Sequence, residues 1–340
     1  MPELPDIEAY LEALRRMAVG HVLERVRISS PIILRTFDPP IQAAEGKRIL
    51  GVRRIGKRIV IELEGELSSQ GGSPSSTPLY VVVHLMIAGR FHWRERGARV
   101  PARVGHAALD LDHATLMLTE ANATKRASLH LVRGEGALVE FARGGLEPFD
   151  ADLASFREAL TRESHTVKRA LTDPTLFSGI GNAYSDEILH RAKLAPTKLT
   201  RSMSDDEIVR LYDAMLEILT EWTDRLIGEA RATFPEKVTA FRPEFAVHGK
   251  YGKPCPVCGS PVQRIVHAEN EANYCATCQT GGKLLADRAL SRLLREDWPR
   301  TLEELEDRER PTDRGAGRSR AEGEMGAKGS GAPLRRRPPH

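Results

Sequence analysis

The apolar positions change period twice along the chain. Near the N-terminus Ile7, Tyr10, Leu11, Leu14 and Met17 recur at helical spacing until Gly20 ends the run. Pro2 and Glu3 suit the start of that helix, because proline pre-sets the backbone and an acid faces the positive end of the helix dipole. From Val22 to about Phe141 the period is that of strands. VLERVRI, RILGVRRIG, RIVIELEG, LYVVVHLMIAGRFHW, AALDLD, ATLMLTE and ALVEFA alternate or run apolar between turn residues, predicting the strands of a sandwich or barrel. The Gly/Ser/Pro-rich stretch GELSSQGGSPSSTP, 65–78, predicts a flexible hairpin insert.

After a hinge at GGLEPFD the period becomes helical. ADLASFREAL, TVKRALTD and YSDEILHRAK each predict a helix, and a long one spans 204–230 with Ser204 as its N-cap. One more amphipathic helix is predicted at 284–297. From about Arg308 the chain is Gly, Arg, Pro and Ser without apolar pattern and ends APLRRRPPH, which predicts a disordered basic tail. A strand block followed by a helix block reads as α+β. The boundaries are a strand domain over 1–147, a helical domain over 151–232, a cysteine-bearing module over 243–281, an extra helical segment over 282–307 and a tail over 308–340.

Composition adds limits. The 340 residues are 41% hydrophobic, enough for two buried cores. A net charge of +3 and a pI near 8.7 allow a nucleic-acid partner without requiring one. The longest apolar runs suit buried strands rather than a membrane span, and the acidic N-terminus lacks a signal-peptide core. A reducing cytoplasm follows as the expected location. There the four cysteines, Cys255, Cys258, Cys275 and Cys278, form two C-x-x-C knuckles sixteen residues apart. That spacing reads as one structural zinc held by four thiolates, a closed tetrahedral site, rather than as disulfides.

Two stretches carry candidate chemistry. Methionine is usually trimmed when proline follows it, which would leave Pro2 as a free secondary amine; taken alone, Pro2 is better explained by the helix start. In LFSGIGNAYSDEIL, two glycines and Asn182 precede a helix, an arrangement suited either to an anion at a helix N-terminus or to a plain interhelical turn.

Four motifs occur in order: MPELPDIE, RRIGKR around Lys57, SGIGNAYSDEIL, and HGKYGKPCPVCG…YCATCQ. Together they resemble the formamidopyrimidine-DNA glycosylase/endonuclease VIII family of base-excision repair enzymes over about residues 1–280. The resemblance implies an N-terminal β-sandwich domain, a helix-two-turn-helix domain and a C-terminal zinc ribbon, working as a monomer on damaged DNA in the bacterial nucleoid. It implies that Pro2 is the nucleophile at C1′, that Glu3 donates and shuttles protons, and that Lys57 holds the lesion phosphate and assists. It places Asn182 and Lys250 on backbone phosphates, with Arg126 and Ile87 at wedge positions and His106 near a family histidine.

The chain departs from the family at four points. Asn270, between Glu269 and Glu271, stands at a usual arginine. Ala127 stands where the wedge has an aromatic, and Ile87 where it has Met. The segment ARATFPEKVTAFRPEFAV lacks a Gly-rich capping loop, and Asp6 replaces a Glu. The expectation is a glycosylase with abasic-site lyase activity through β,δ-elimination. Its preference would shift from 8-oxoguanine in intact duplex toward abasic sites or unpaired lesions. Specificity for oxidised pyrimidines, as in endonuclease VIII, and a non-catalytic damaged-DNA binder are the alternatives. A zinc-ribbon transcription factor would leave the N-terminus unexplained.

Overall fold

The structure, a computed structural model, describes residues 1–67, 76–267, 270–285 and 299–309. Helix α1 (Leu4–Met17) buries Ile7, Tyr10, Leu11 and Leu14 in the strand domain's core. Its first residue, Leu4, belongs to the helical domain's core, and Ala9 packs on Leu226 and Ala230 further along the chain. Burying each large apolar side chain contributes about 1.5–3 kcal/mol. The helix therefore ties the two domains together and fixes the start of the chain between them.

Eight strands follow: β1 (Val22–Ile28), β2 (Lys47–Ile55), β3 (Arg58–Leu67), β4 (Ser76–His84), β5 (Gly89–Glu95), β6 (Gly105–Leu111), β7 (Ala114–Glu120) and β8 (Ser128–Arg133). They pair antiparallel in the order β5-β7-β6-β1-β2-β3-β4-β8. Strands β1 and β2 share only the pairs Val22–Arg48 and Leu23–Lys47, so the sheet divides there into two four-stranded halves around one core, as a sandwich does.

Three strand expectations change. LYVVVHLMIAGRFHW is two strands, because the chain reverses over 85–88. Met86 adopts a φ of 52°, and a Cβ at Gly89 would lie 2.2 Å from the Leu85 carbonyl oxygen, so only glycine closes this turn. ALVEFA is not a strand. It lies in a 3-10 segment, Glu135–Phe141, that buries Leu138 and Phe141 three residues apart, the spacing of a 3-10 turn. The unpredicted strand is SLHLVR, where Leu129 and Leu131 point inward on either side of His130. The ends of the 65–78 insert prolong β3 and β4, with Glu66 opposite Thr77. Its centre, 68–75, lies outside the described residues.

The helical domain comprises α2 (Leu153–Thr161), α3 (Val167–Thr172), α4 (Asn182–Arg191) and α5 (Asp205–Ala232). Ser204 caps α5 as predicted: its hydroxyl accepts from the Glu207 amide while the Glu207 carboxylate accepts from the Ser204 amide. The hairpin β9 (Val262–His267) and β10 (Asn270–Cys275) with α6 (Ala276–Thr280) forms the cysteine module. Most of the helix predicted at 284–297 and nearly all of the tail lie outside the described residues; a helix, α7, runs over Leu302–Glu309.

Candidate active site and nucleic-acid face

The N-terminus of α1 meets the N-terminus of α4. The Glu3 carboxylate accepts backbone N–H bonds from Gly181 at 2.7 Å, Ala183 at 2.9 Å and Tyr184 at 3.2 Å. An acid at a helix N-terminus satisfies orphan amide donors and meets the positive end of the dipole. Of the two readings the sequence left open, an anion at a helix N-terminus and a plain interhelical turn, the structure shows an anion that is the chain's own Glu3. The Leu4 amide bonds the Gly179 carbonyl at 2.9 Å, so backbone and side chain both lock the first turn onto the loop.

Lys57 occupies the two-residue turn of the β2–β3 hairpin, between the paired Ile55 and Arg58. It reaches the same spot: a Cβ built on Gly181 would lie 2.5 Å from the Glu3 carboxyl carbon and 2.7 Å from Lys57 Nζ. Glycine at 181 is what lets a carboxylate and an ammonium approach this helix start together. Burial depresses the Lys57 pKa below the usual lysine range, against the opposing fields of Glu3 and Asp6.

Pro2 is buried while Met1 remains in place. The α-amine at this chain end, here that of Met1 standing in for Pro2, is held below the ordinary α-amine range, first by burial. Glu3 opposes that shift, and Arg90 and Lys57 add to it. A terminal amine set here is a poorer base than one in water and is free of its proton at lower pH.

Asp6 is fully buried. It accepts the Glu3 amide at 2.9 Å and an Arg242 Nη bond at 2.6 Å. Burial raises its pKa, and Arg242 opposes. Arg242 was not singled out by sequence. It lies over the Trp222 ring at 5.6 Å, and its Nε is buried with no partner among the described residues. Asp6 and Arg242 line a cavity of ≈310 Å³ with Ala9, Leu226, Ala230 and Val238. The only signal in the sequence was the charge of Arg242 within ARATFPEKVTAFRPEFAV.

The SDE of the α4 motif does a second job. Glu187 accepts the amides of Ala246, Val247 and His248 at 2.7, 3.0 and 2.8 Å. Asp186 accepts from Lys168 at 2.5 Å, pairs with His248 Nδ1 at 2.7 Å and accepts the Asn273 amide at 3.1 Å. These bonds dock the cysteine module on α4. Asn182 joins them, its side-chain amide donating to the Glu271 carbonyl at 2.7 Å.

The cysteine sulfurs all lie within 4.8 Å of one another, with Cys258–Cys275 at 3.3 Å and Cys255–Cys278 at 4.0 Å. Zn–S bonds of about 2.3 Å in a tetrahedron require sulfurs about 3.8 Å apart. The four thiolates fit one structural zinc. His190 on α4, also missed by sequence, places Nε2 3.3 Å from the Cys255 sulfur, an outer contact that orients the ligand.

The remaining candidates divide. Ile87 and Arg126 are exposed. Ala127 is buried in the strand core, with its amide on Glu120 at 3.2 Å, so its position faces inward. Lys250 donates to the Pro243 carbonyl at 2.9 Å. His106 is corrected: it is buried against Glu120 at 3.2 Å and presents no surface to DNA.

A strand sandwich joined to a helical domain through Glu3, with a four-thiolate ribbon docked on α4, matches a DNA-repair class of enzyme, and the comparisons specify which. Residues 1–127 match the formamidopyrimidine-DNA glycosylase N-terminal domain, 145–226 its H2TH domain, and 252–281 the zinc finger found in FPG and IleRS. The formamidopyrimidine-DNA glycosylase of Thermus thermophilus is 32% identical over 289 residues, covering 83% of this chain and all of that one. The Lactococcus lactis Fpg bound to DNA containing an abasic site superposes with a TM-score of 0.69 at 26% identity, over 82% of this chain and 99% of that one. Its complex with DNA containing an oxidised pyrimidine gives the same score and identity, over 82% and 100%. The chain belongs to the formamidopyrimidine-DNA glycosylase family and is an enzyme of the glycosylase type. Among the described residues no helix is long and apolar enough to cross a membrane.

Proposed function

We propose that the chain excises damaged bases from DNA and then cleaves the strand at the resulting abasic site, using the amine of Pro2 once Met1 has been removed. The observation that carries this reading is the convergence of Glu3 and Lys57 over Gly181, with the chain-end amine within the electrostatic reach of both. The neutral amine attacks C1′ and the base departs with the glycosidic electron pair. The proton left on the attacking nitrogen passes to Glu3, which hands it to the ring oxygen as the sugar opens. The resulting iminium acidifies the C2′ proton, whose removal expels the 3′ phosphate by β-elimination; δ-elimination then releases the 5′ phosphate. Lys57, half-buried beside the amine, holds the lesion phosphate. Lys250, Arg126 and Ile87 face the DNA, and the backbone around Asn182 bounds the same surface.

The everted base enters the cavity beside Asp6 and Arg242, where a guanidinium meets carbonyl oxygens and a carboxyl meets ring N–H groups. With Ala127 turned into the core, the wedge holds an unstacked gap open less well, which favours abasic sites and lesions already unpaired.

Borohydride trapping of the Met-trimmed protein on an oligonucleotide with one abasic site tests the chemistry, beside Pro2→Gly and Glu3→Gln. The expected result is a covalent adduct that needs Pro2. DNA binding without an adduct, with the N-terminus confirmed free, would make the protein a non-catalytic binder. Fastest excision of 8-oxoguanine opposite cytosine in intact duplex would overturn the lesion preference.

A further inference from the structure

At the opposite end of α1, about 20 Å from Glu3 by helical rise, stands a second cluster of ligand atoms. His21 follows the end of α1, and Asp112 and His113 form the two-residue turn between β6 and β7. His21 Nδ1 and His113 Nδ1 each lie 2.8 Å from the same atom, Asp112 Oδ1. We propose that this is a binding site for one divalent transition-metal ion of the zinc, nickel or cobalt type.

The three ligand atoms lie within 4.8 Å of one another on side chains about 40% exposed, so an ion reaches them from solvent. An octahedral ion with bonds of about 2.1 Å needs neighbouring ligands about 3.0 Å apart, close to the two observed nitrogen–oxygen spacings. Two imidazoles and one carboxylate select a borderline transition metal over calcium or magnesium, and water fills the remaining positions. The ligands sit on fixed backbone. The His21 carbonyl accepts the Ile49 amide at 2.9 Å, and the Asp112 amide bonds the Val22 carbonyl at 3.2 Å. Asp112 Oδ2 accepts the Val22 amide at 3.4 Å, which turns Oδ1 toward the histidines. The bound ion staples the α1–β1 turn to the β6–β7 hairpin.

Trp93 provides a reporter, its ring centroid 5.7 Å from that of His113. Protein with its ribbon zinc in place is titrated with Ni²⁺ and followed by calorimetry and by quenching of tryptophan fluorescence. One ion per chain should bind, with quenching, and His21→Ala, His113→Ala or Asp112→Asn should each weaken binding tenfold or more. These are surface substitutions, and melting curves check that each variant is folded. No calorimetric binding overturns the site. So does binding that keeps its affinity in a His21→Ala/His113→Ala double variant, which would place the ion elsewhere.

Discussion

Gly181→Ala separates geometry from folding. The backbone at Gly181 has φ −131° and ψ −157°, an extended conformation open to alanine, so the substitution brings no backbone penalty. The added Cβ would lie 2.5 Å from the Glu3 carboxyl carbon, and ordinary contact begins at 3.4 Å. Glu3 must therefore retreat by about 0.9 Å and Lys57 Nζ, at 2.7 Å, by about 0.7 Å, and both atoms displaced are side-chain ends rather than backbone. The fold accommodates this with a loss of about 1–3 kcal/mol, the cost of moderate overpacking. The chemistry does not, because a misplacement near 1 Å costs about 100-fold in rate. Single-turnover borohydride trapping on abasic DNA should slow about 100-fold in Gly181→Ala. Binding to an uncleavable abasic analogue should change only a few-fold. A variant trapping at the wild-type rate would show that the Glu3–Lys57 juxtaposition is not what the reaction uses.

The depressed terminal amine sets a pH dependence: it is neutral at lower pH than an ordinary α-amine, so the acid limb of the trapping rate should fall below the usual α-amine range. A limb at or above that range refutes the assignment. The lowered Lys57 pKa has the same sign at the other end, its charge being lost below the usual lysine range, so the alkaline limb should begin early and move in Lys57→Arg. Removing zinc with a chelator, or Cys275→Ser, should abolish DNA binding in a filter or gel-shift assay while the strand domain's circular dichroism persists, because metal binding supplies the folding energy of such ribbons. Asp186→Ala leaves His248 buried and Lys168 part-buried without their carboxylate and should cost about 3–5 kcal/mol in denaturant melts. A loss below about 1 kcal/mol would mean that Asp186 does not latch the ribbon.

What the sequence made legible follows from how local each signal is. The helix ending before Gly20, the cap at Ser204 and the two cysteine knuckles rest on neighbours within a few residues, and all appear in the structure. The run LYVVVHLMIAGRFHW concealed a reversal because its apolar pattern continues through the turn, and only the close approach at Gly89 forces the break. ALVEFA and SLHLVR were exchanged for a similar reason: both are short and apolar, and the partner that decides, β4 in the case of SLHLVR, lies some fifty residues away.

The site was legible only through motifs, and even they concealed its main connection. MPELPDIE and SGIGNAYSDEIL each name functional residues, but nothing local says that the carboxylate of the first fills the helix N-terminus of the second. The GxGN turn reads as a place for a phosphate because an unfilled helix N-terminus attracts anions. Filled by Glu3, the same turn has another use: its amides hold the Glu3 carboxylate in place. Asp6 and Arg242 repeat the pattern across more than two hundred residues, with Asp6 bonding the Glu3 amide from the other side. The first turn of α1 is thus clamped by α4 through Glu3 and by the segment after α5 through Asp6. On the proposed function, this one turn couples lesion preference to amine chemistry, so Arg242→Ala should slow borohydride trapping on abasic DNA as well as change the choice of base.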